Sequence, residues 1–214
     1  MAHSMKDNTK IIFLGDSITD AGHNFQPVRD GECPLGVGYV SMIAEILGKK
    51  NCSIRNAGHD GFTVRDLLRM LDRDCLRRSP DLVSVLVGSN DVAVCMNTGM
   101  TLEETEFEQN YYMLLERIVK HTEATVVCMG PFLFPYPLEY RNWIPLLKEA
   151  EQIEQKAAQE MKLSFLPLHD RLNRIGEKEG YDRITVDGIH LTDGGARLVA
   201  RAWVELVSGT VNKL

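Results

Sequence analysis

Residues 11–20 read Ile-Ile-Phe-Leu-Gly-Asp-Ser-Ile-Thr-Asp, and they join an apolar run to a polar turn. Four consecutive apolar residues, 11–14, are typical of a strand that is covered on both faces. The turn that follows begins with glycine and carries aspartate, serine and threonine. A helical pattern comes further along, at residues 39–47, where apolar side chains recur with a helical period. This succession predicts the first strand and the first crossover of a parallel sheet.

The same succession repeats along the chain and predicts the fold class. Short apolar runs alternate with longer helical patterns, and we find no internal repeat, low-complexity tract or linker. The predicted strands are residues 11–14, 52–56, 82–87, 125–129 and 163–166, and the predicted helices are residues 39–47, 64–76, 107–119, 144–161 and 193–207. We therefore expect one three-layer α/β/α domain over residues 10–214, an α/β fold with a five-stranded parallel, flavodoxin-like sheet. Right-handed crossovers favour the strand order 2-1-3-4-5.

Composition and charge exclude several kinds of partner. The chain has 214 residues, of which 44% are hydrophobic and 25% charged, and its formal net charge is -6. A nucleic-acid partner requires clustered Lys and Arg, but the densest basic stretch, residues 65–78, is interleaved with aspartates and is typical of a solvated helix face. No segment approaches the ~18 consecutive apolar residues that cross a membrane. We expect neither a nucleic-acid nor a membrane partner.

The N-terminus and the cysteines bear on the cellular compartment. Residues 1–9 are expected to be disordered or a remnant of an expression tag ahead of Met5, and they contain no apolar run of the kind found in signal peptides. The cysteines are odd in number, scattered and without a Cys-x-x-Cys pair: Cys33, Cys52, Cys75, Cys95 and Cys128. Buried free thiols in a reducing compartment explain this pattern best. The sequence predicts a cytoplasmic protein, unless a leader has been removed.

Polar motifs follow the first three predicted strands. These are residues 15–20 (GDSITD), 56–63 (NAGHDGFT) and 88–91 (GSND), and a fourth motif, residues 187–191 (DGIHL), precedes the final helix. Each motif alone has an ordinary structural explanation as a turn, a surface pair or a helix cap. In the expected strand order, however, the loops after strands 1, 2 and 3 are neighbours in space. Their joint occurrence in this order indicates an active site.

The motifs resemble those of the SGNH (GDSL-type) hydrolases, which are named after a Ser, a Gly, an Asn and a His. The matching residues are Ser17, Gly61, Asn90 and His190, and the resemblance extends over residues 11–207. It implies a serine esterase in which Ser17 is the nucleophile and His190, supported by Asp187, is the base. It also implies an oxyanion hole formed by the backbone N–H groups of Ser17 and Gly61 and the side-chain amide of Asn90.

The chemistry of the residues supports this assignment. A serine hydroxyl is a weak nucleophile and needs an adjacent base. His190 is the histidine that both follows a carboxylate, Asp187, by three residues and precedes a predicted helix. On a tight turn Asp187 can orient the imidazole while its other nitrogen faces Ser17. A glycine suits a loop that approaches the substrate closely, and the family's spacing, two residues before Thr63, favours Gly61 over Gly58.

Other residues near these motifs have supporting roles. We expect Asp16, Thr19 and Asp91 to hold the loops in place. His23 and His59 lie close to the predicted site in the sequence and are candidates for substrate contact.

The remaining features indicate no cofactor. His121 is expected at a helix end, where a cation suits the helix dipole, and His169 in a loop after Pro167. No His, Cys or Asp cluster has metal-ligand spacing, so we predict no metal. No glycine-rich phosphate cradle with a following Lys-Ser/Thr occurs, and we expect no cofactor of any kind.

Several stretches narrow the expected substrate to a small acyl ester. Residues 15–22, 35–40, 63–67 and 129–132 resemble those of bacterial intracellular acetylxylan esterases of the same superfamily. The resemblance implies removal of small acyl groups, chiefly acetyl, from carbohydrate esters such as acetylated oligosaccharides. Two other activities stay open, a lysophospholipase or acyl-thioesterase and a catalytically inactive glycan-binding module. The oligomeric state also stays open between a monomer and a homo-oligomer.

An aromatic-rich loop follows the fourth predicted strand. Its aromatic residues are Phe132, Phe134, Tyr136, Tyr140 and Trp143. Aromatic rings at the carboxyl end of a strand can stack on sugar rings or line an acyl pocket. Equally, they can pack the loop onto the domain or onto another protomer.

Overall fold

The computed structural model describes residues 8–26, 34–48 and 52–211, and its centre is a parallel sheet. The strands are β1 (Thr9–Gly15), β2 (Cys52–Gly58), β3 (Leu82–Leu86), β4 (Thr125–Met129) and β5 (Ser164–Leu166). Their order is β2-β1-β3-β4-β5 with every pair parallel, so the predicted fold class and strand order are confirmed. Gly15 pairs with Gly58 of β2 and with Leu86 of β3. The carboxyl ends of these three strands therefore lie side by side.

Helices cover both faces of the sheet. Within the described ranges they are α1 (Ser17–Asp20), α2 (Tyr39–Leu47), α3 (Val64–Asp74), α4 (Ser89–Thr98), α5 (Phe107–His121), α6 (Ile144–Glu160), α7 (His169–Glu179) and α8 (Asp193–Val211). The helices predicted from the sequence are all present, with ends that differ by a few residues. Helix α5 ends at His121, as expected.

Two sequence predictions are corrected by helices α4 and α7. Residues 88–91 are not entirely loop, because Gly88, at φ +114°, makes the turn and Ser89 already begins α4. His169 does not lie in a loop but begins α7, and it is only 2% exposed. Its Nδ1 lies 3.3 Å from the Asn173 side-chain nitrogen, which also donates to the Leu133 carbonyl at 3.0 Å. The apolar residues of α4 stand together at 92–96 without a helical period, and α7 contains only two large apolar side chains, Leu172 and Ile175.

The core consists of two apolar layers, one on each face of the sheet. Alternate side chains of β1 point to opposite faces: Leu14 packs in the layer that contains Leu71, and Phe13 in the layer that contains Trp203. Each fully buried side chain of this size contributes roughly 1.5–3 kcal/mol. Trp203 also donates from its indole N–H to Ser84 Oγ at 2.9 Å, which ties α8 to the central strand β3. The sheet is thereby held rigid beneath its loops.

Four cysteines are within the described residues, and all are free thiols. Cys75, Cys95 and Cys128 are buried, whereas Cys52 is half-buried. Cys33 and residues 1–7, to which other predictions applied, lie outside the described residues. No helix in the described ranges is long and apolar enough to cross a membrane.

Candidate active site

Ser17 lies directly after the central strand β1, at the first position of α1. Asp16 caps this short helix: its carboxylate accepts from the Ile18 N–H at 3.0 Å. Thr19 anchors the same turn through a hydrogen bond of 2.9 Å between its hydroxyl and Tyr39 Oη. Asp16 and Thr19 are buried and Ser17 is only half-buried. The buried side chains of Asp16 and Thr19 therefore fix the turn, while Ser17 stays accessible.

A chain of hydrogen bonds joins Ser17, His190 and Asp187. Ser17 Oγ lies 3.0 Å from His190 Nε2, although the two residues are 173 positions apart. On the other side of the ring, His190 Nδ1 lies 2.7 Å from Asp187 Oδ2. The side chains of His190 and Asp187 are about half exposed, at 48% and 49%. The structure thus brings these three predicted residues together in a line that opens to solvent.

Hydrogen bonds within the 185–191 loop fix the position of the imidazole. Asp187 Oδ1 accepts from the N–H groups of Ile189 and His190, at 2.9 and 2.8 Å. The Thr185 hydroxyl donates to the His190 carbonyl at 2.7 Å and accepts from the Gly188 N–H at 2.8 Å. Asp187 is therefore both a ring partner and the organiser of its own turn.

The aromatic-rich loop after β4 holds the 185–191 loop from outside. The Phe134 N–H donates to the Gly188 carbonyl at 2.8 Å. Gly188 has φ +96°, and a Cβ at this position would meet the Tyr136 carbonyl oxygen at 1.8 Å. Only glycine fits both the backbone conformation and the close approach of the two loops.

The protonation of this line follows from the carboxylate. Partial burial opposes the ionisation of Asp187, but the hydrogen bonds from His190 and from the backbone N–H groups outweigh it, and the pKa of Asp187 falls below its ordinary value of 3.8. An ionised carboxylate can only accept, so His190 Nδ1 carries a proton and donates it. Nε2 is then free to accept the hydroxyl proton of Ser17. This is the arrangement in which imidazole acts as a base.

Gly61 and Asn90 lie on the loops after β2 and β3. Gly61 has φ +73°, is exposed, and would have nothing within 4 Å of an added Cβ. In the described part of the chain, its N–H takes part in no hydrogen bond. The Gly58 N–H, in contrast, donates to Asn56 Oδ1 at 2.9 Å. Asn90 donates one side-chain hydrogen to the Phe62 carbonyl at 3.0 Å. Because the amide has two hydrogens, a second remains for another acceptor.

Buried carboxyl groups lie beneath these loops. Asp91, like Asp16, is buried and supports a loop of the site: both of its oxygens lie 3.2 Å from the Val64 N–H at the start of α3. Burial raises the pKa of Asp16 and of Asp91 to about 7 in each case. Glu154 of α6 is fully buried, and burial, with the nearby charge of Asp91, raises its pKa well above the ordinary value. The contacts of Asp16, Thr19 and Asp91 agree with their expected roles as loop supports.

Each of the two histidines near the site lies close to an aspartate, but of the two only His59 is hydrogen-bonded to it. His23 Nδ1 lies 3.3 Å from Asp20 Oδ1, and its side chain is only 3% exposed. His59 Nε2 lies 2.8 Å from Asp74 Oδ2, and its side chain is 14% exposed. Sequence reasoning missed Asp74, because an aspartate at the end of an amphipathic helix looks like a surface residue.

The aromatic residues after β4 divide into two groups. Phe132 and Phe134 are fully buried and belong to the core, so for them the packing interpretation is correct. Tyr136 is 53% exposed. Tyr140 is half-buried, and its pKa is raised first by burial and then by the negative charge of Asp187. The loop therefore presents Tyr136 and Tyr140 beside the 185–191 turn.

The geometry of Ser17, His190 and Asp187 defines a class of protein. A serine, an imidazole and a carboxylate in a hydrogen-bonded line, at the carboxyl edge of a parallel sheet, are the arrangement of a serine hydrolase. Among the described residues, no group of three or more His, Cys, Asp or Glu side chains has the geometry to hold a metal ion.

The comparison with known sequences gives the family. The model of the GDSL-like lipase/acylhydrolase family matches residues 13–198, and the chain belongs to this family of carboxylic ester hydrolases. An acetylxylan esterase from Geobacillus stearothermophilus is 27% identical over 206 residues, which cover 91% of this chain and 92% of the relative. An isoamyl acetate-hydrolyzing esterase from Saccharomyces cerevisiae is 23% identical over 214 residues, covering 90% and 83%. The SGNH resemblance seen in the sequence is confirmed.

Solved structures show the same fold. The crystal structure of Axe2, an acetylxylan esterase from Geobacillus stearothermophilus, matches with a TM-score of 0.81 and 23% identity over 96% of each chain. LAE5, an α/β hydrolase from the metagenome of Lake Arreo, Spain, matches with a TM-score of 0.81 and 20% identity over 95% and 96%. Three Axe2 variants, in which a Ser, an Asp or a His is replaced by Ala, are described as catalytic mutants.

Proposed function

We propose that this carboxylic ester hydrolase acts through an acyl-enzyme, with Ser17 as nucleophile, His190 as base and Asp187 as the acid that orients it. The observation that carries the proposal is the 3.0 Å between Ser17 Oγ and His190 Nε2, on an imidazole whose other nitrogen is held by Asp187. The description of Ser, Asp and His variants of Axe2 as catalytic mutants supports the same three residue types.

The reaction has two halves that use the same groups. Ser17 Oγ attacks the acyl carbon while His190 Nε2 takes the hydroxyl proton, and a tetrahedral intermediate forms. As the intermediate collapses, the bond to the leaving alcohol breaks, and the alcohol oxygen takes the proton from His190. Water then attacks the acyl carbon while His190 Nε2 takes one of its protons, and as this second intermediate collapses the bond from the acyl carbon to Ser17 Oγ breaks. Ser17 Oγ takes the proton from His190, and the free acid leaves. Asp187 stabilises the imidazolium that forms in each half.

Three donors would hold the oxyanion of each tetrahedral intermediate. They are the N–H of Ser17, which has no intrahelical partner at the start of α1, the N–H of Gly61, and the second side-chain hydrogen of Asn90. Each comes from a different loop at one edge of the sheet. Such donors act mainly in the transition state, and the loss of one typically costs ~100- to 1000-fold in rate.

We further propose that the preferred acyl group is acetyl and that the alcohol is a carbohydrate. The two curated relatives are named for acetate esters with different alcohols, acetylxylan and isoamyl acetate. Both relatives therefore support acetyl as the preferred acyl group. The carbohydrate half is supported by the acetylxylan esterase and by the exposed Tyr136 beside the catalytic turn, because aromatic rings can stack on sugars.

The free thiols support one more proposal, a cytoplasmic location. Cys75, Cys95 and Cys128 are buried without disulfide partners, as is usual in a reducing compartment. Fractionation of the native host with an antibody against the chain would test this, and recovery in the extracellular medium would contradict it.

Replacement of Ser17 by Ala tests the mechanism. We expect Ser17→Ala to lose at least about 10³-fold in kcat on p-nitrophenyl acetate with an unchanged melting temperature, because the hydroxyl is half-exposed and contributes little packing. A fluorophosphonate probe should add to the wild type and not to the variant, as read by intact mass. A variant that keeps near-normal activity would end the proposed mechanism. A wild type that neither reacts with the probe nor cleaves any ester would indicate an inactive glycan-binding module.

A series of acyl chain lengths tests the substrate. Nearly all described residues belong to the sheet, its helices and short connections, which leaves no separate lid domain to shelter a long acyl chain. Each buried methylene would add ~0.8 kcal/mol to transition-state binding in a long groove, so a rising kcat/KM with chain length reports such a groove. We expect kcat/KM for p-nitrophenyl esters to fall from acetate to octanoate. A steady rise would favour the lysophospholipase or thioesterase alternative.

The alcohol half needs its own comparison. We would measure kcat/KM for acetylated xylo-oligosaccharides and for isoamyl acetate, with the release of acetate as the readout for both. A higher value for the oligosaccharide supports the carbohydrate proposal, and a higher value for isoamyl acetate contradicts it.

A further inference from the structure

A row of aromatic rings supports the loop that carries Gly61. We name His23, Phe25, His59 and Phe62 the ring stack. The His59 and Phe62 rings are nearly parallel, at 18° with their centroids 4.3 Å apart. Phe25 lies 5.1 Å from His59, with the two rings tilted by 32°, and it meets His23 edge-on at 4.3 Å. The His59 ring thus contacts two neighbouring aromatic rings.

A buried carboxylate anchors the His59 end of this stack. Asp74, at the end of α3, is 1% exposed, and its Oδ2 lies 2.8 Å from His59 Nε2. Arg73 supplies the compensating charge through bonds of 2.8 and 3.0 Å to the two oxygens of Asp74. Burial opposes the ionisation of Asp74, but the bonds from His59 and Arg73 outweigh it and lower its pKa. His59 is therefore fixed by an ionised group inside the protein.

The ring stack is connected to both loop donors of the proposed oxyanion hole. His59 and Phe62 flank Gly61 in the chain, and the Phe62 N–H donates to the His59 carbonyl at 3.2 Å. The Phe62 carbonyl accepts the side-chain hydrogen of Asn90 at 3.0 Å. Gly61 itself has open space on its Cβ side, so its neighbours in the chain set its position. A shift of the Phe62 ring would move the Gly61 N–H and the Asn90 amide together.

We propose that His59, held by Asp74, is a positioning residue that sets the Gly61 and Asn90 donors for the oxyanion. This inference rests on the proposed function and adds a role for residues outside the hydrogen-bonded line of Ser17, His190 and Asp187. His59 does not touch the reacting atoms in this assignment. It acts through the Phe62 ring and carbonyl.

The kinetic signature follows from when the donors act. An oxyanion exists in the tetrahedral intermediate and not in the bound ester, so misplaced donors lower kcat and leave KM nearly unchanged. We expect His59→Ala to lower kcat on p-nitrophenyl acetate by about 10-fold, a part of the ~100- to 1000-fold cost of losing a donor. The change in KM should stay within about 2-fold.

A double-mutant cycle with Asn90→Ala tests the proposed route. If His59 acts through Asn90, the loss caused by His59→Ala should shrink to about 3-fold or less when Asn90 is already alanine, because residues that act as a unit are not additive. The same loss in both backgrounds would overturn the route, as would an unchanged kcat in His59→Ala. His59→Phe keeps a ring in the stack and loses the bond to Asp74. It covers the case in which His59→Ala does not fold, and it should show the same coupling with a smaller loss in kcat.

Asp72→Asn on the same helix is the matched control. Asp72 pairs with Arg117 at the surface, at 3.0 Å, and is 57% exposed. This variant should keep the kcat of the wild type. If it loses as much kcat as His59→Ala, the effect does not depend on the contact between His59 and Asp74, and the proposal falls.

A spectroscopic readout separates this inference from the proposed function. The side-chain amide signals of Asn90 in a ¹H–¹⁵N spectrum can be assigned by their loss in Asn90→Ala. They should move in His59→Ala and stay in place in Asp72→Asn, whether or not an ester is cleaved. Unmoved Asn90 signals in His59→Ala refute the positioning role, whereas a wild type no faster than Ser17→Ala refutes the proposed esterase mechanism.

Discussion

A single side chain, that of Asp187, makes several of the hydrogen bonds that shape the site. Its two oxygens accept three hydrogen bonds, two from backbone N–H groups and one from His190 Nδ1. These bonds lower the pKa of the carboxyl group, so their contribution to stability is present above about pH 4 and is lost as the pH falls through the lowered pKa. The group is half exposed, and solvent screening keeps that contribution small. Its larger effect is on the imidazole.

Asp187→Asn should impair catalysis while leaving the fold intact. An asparagine can still accept from the backbone with its amide oxygen, but its NH₂ group would face Nδ1 and favour the wrong tautomer of His190. We expect kcat to fall by about 10²- to 10⁴-fold. Steady-state kinetics on p-nitrophenyl acetate and a thermal melt check both halves of this statement. A variant with more than half of the wild-type kcat would show that Asp187 does not orient the base.

Among the secondary-structure elements and loops, the contact between two loops fixes the position of His190, the proposed base. The turn that carries His190 belongs to no helix or strand of the sheet. Its outer support is the segment after β4, whose Phe134 N–H and Tyr136 carbonyl meet Gly188. The anchor of that segment is Phe134, which is fully buried. The position of His190 is therefore set by the core through Phe134.

Gly188→Ala should separate the two loops. A Cβ there would approach the Tyr136 carbonyl oxygen to 1.8 Å in a backbone conformation of φ +96°. We expect a loss of at least about 10-fold in kcat, because a displacement of about 1 Å from the chemistry can cost up to ~100-fold. The melting temperature should fall as well.

Gly209→Ala provides the matched control for Gly188→Ala. Gly209 lies in α8 with nothing within 4 Å of an added Cβ. Alanine inside a helix is favoured over glycine by roughly 0.5–1 kcal/mol, so this variant should be as active as the wild type and no less stable. Equal activity in Gly188→Ala and the wild type would show that the loop contact is dispensable.

The elements that the sequence predicted are those with strong local patterns. The strand at 125–129 and the start of the helix at Val64 agree with the structure because apolar runs and helical periodicity are local signals. Helix α4 was missed because it opens with Ser89-Asn90-Asp91, which resembles a turn, and its apolar residues stand together at 92–96 without a helical period. His169 was placed wrongly because its surroundings depend on a distant contact: the side chain of Asn173, one turn further along α7, also donates to the Leu133 carbonyl.

The sequence indicated the members of the candidate site and three of its supports, Asp16, Thr19 and Asp91, but not the pairing of His59 with Asp74. Ser17, His190 and Asp187 stand in recognisable motifs, and the strand order alone places the first three motifs at one edge. The partnership of His59 with Asp74 joins a loop to the far end of a helix, and no spacing in the sequence signals it. Contacts of this kind depend on the complete packing of the chain.

For the whole molecule, the buried carboxyl groups set the response of stability to pH. Asp16 and Asp91 have pKa values of about 7 in the fold, against 3.8 when exposed, and Glu154 is shifted in the same direction. The folded chain therefore holds protons that the unfolded chain releases. Their contribution to stability is complete below about pH 4 and declines as the pH rises to about 7. Asp187 and Asp74, shifted downwards, change stability only at lower pH.

The melting temperature should accordingly fall between about pH 5 and pH 8. Glu154→Gln should make this fall shallower, because the amide keeps the shape of the protonated acid without a charge to bury. Glu103→Gln, at an exposed position, is the control and should follow the wild type. Calorimetry across this range measures all three proteins. A melting temperature that rises throughout, with no difference for Glu154→Gln, would show that the interior carboxyl groups are not protonated in the fold.

The distance of 173 positions between Ser17 and His190 has a consequence during synthesis. A ribosome adds about 5–20 residues per second, so roughly 10 to 35 s pass between the synthesis of Ser17, the proposed nucleophile, and that of His190, its proposed base. Throughout that interval the growing polypeptide holds a serine that nothing can deprotonate. If Ser17 and His190 act as proposed, ester cleavage becomes possible only after synthesis has passed residue 190, which makes it a reporter that a nascent chain has passed this point and has folded.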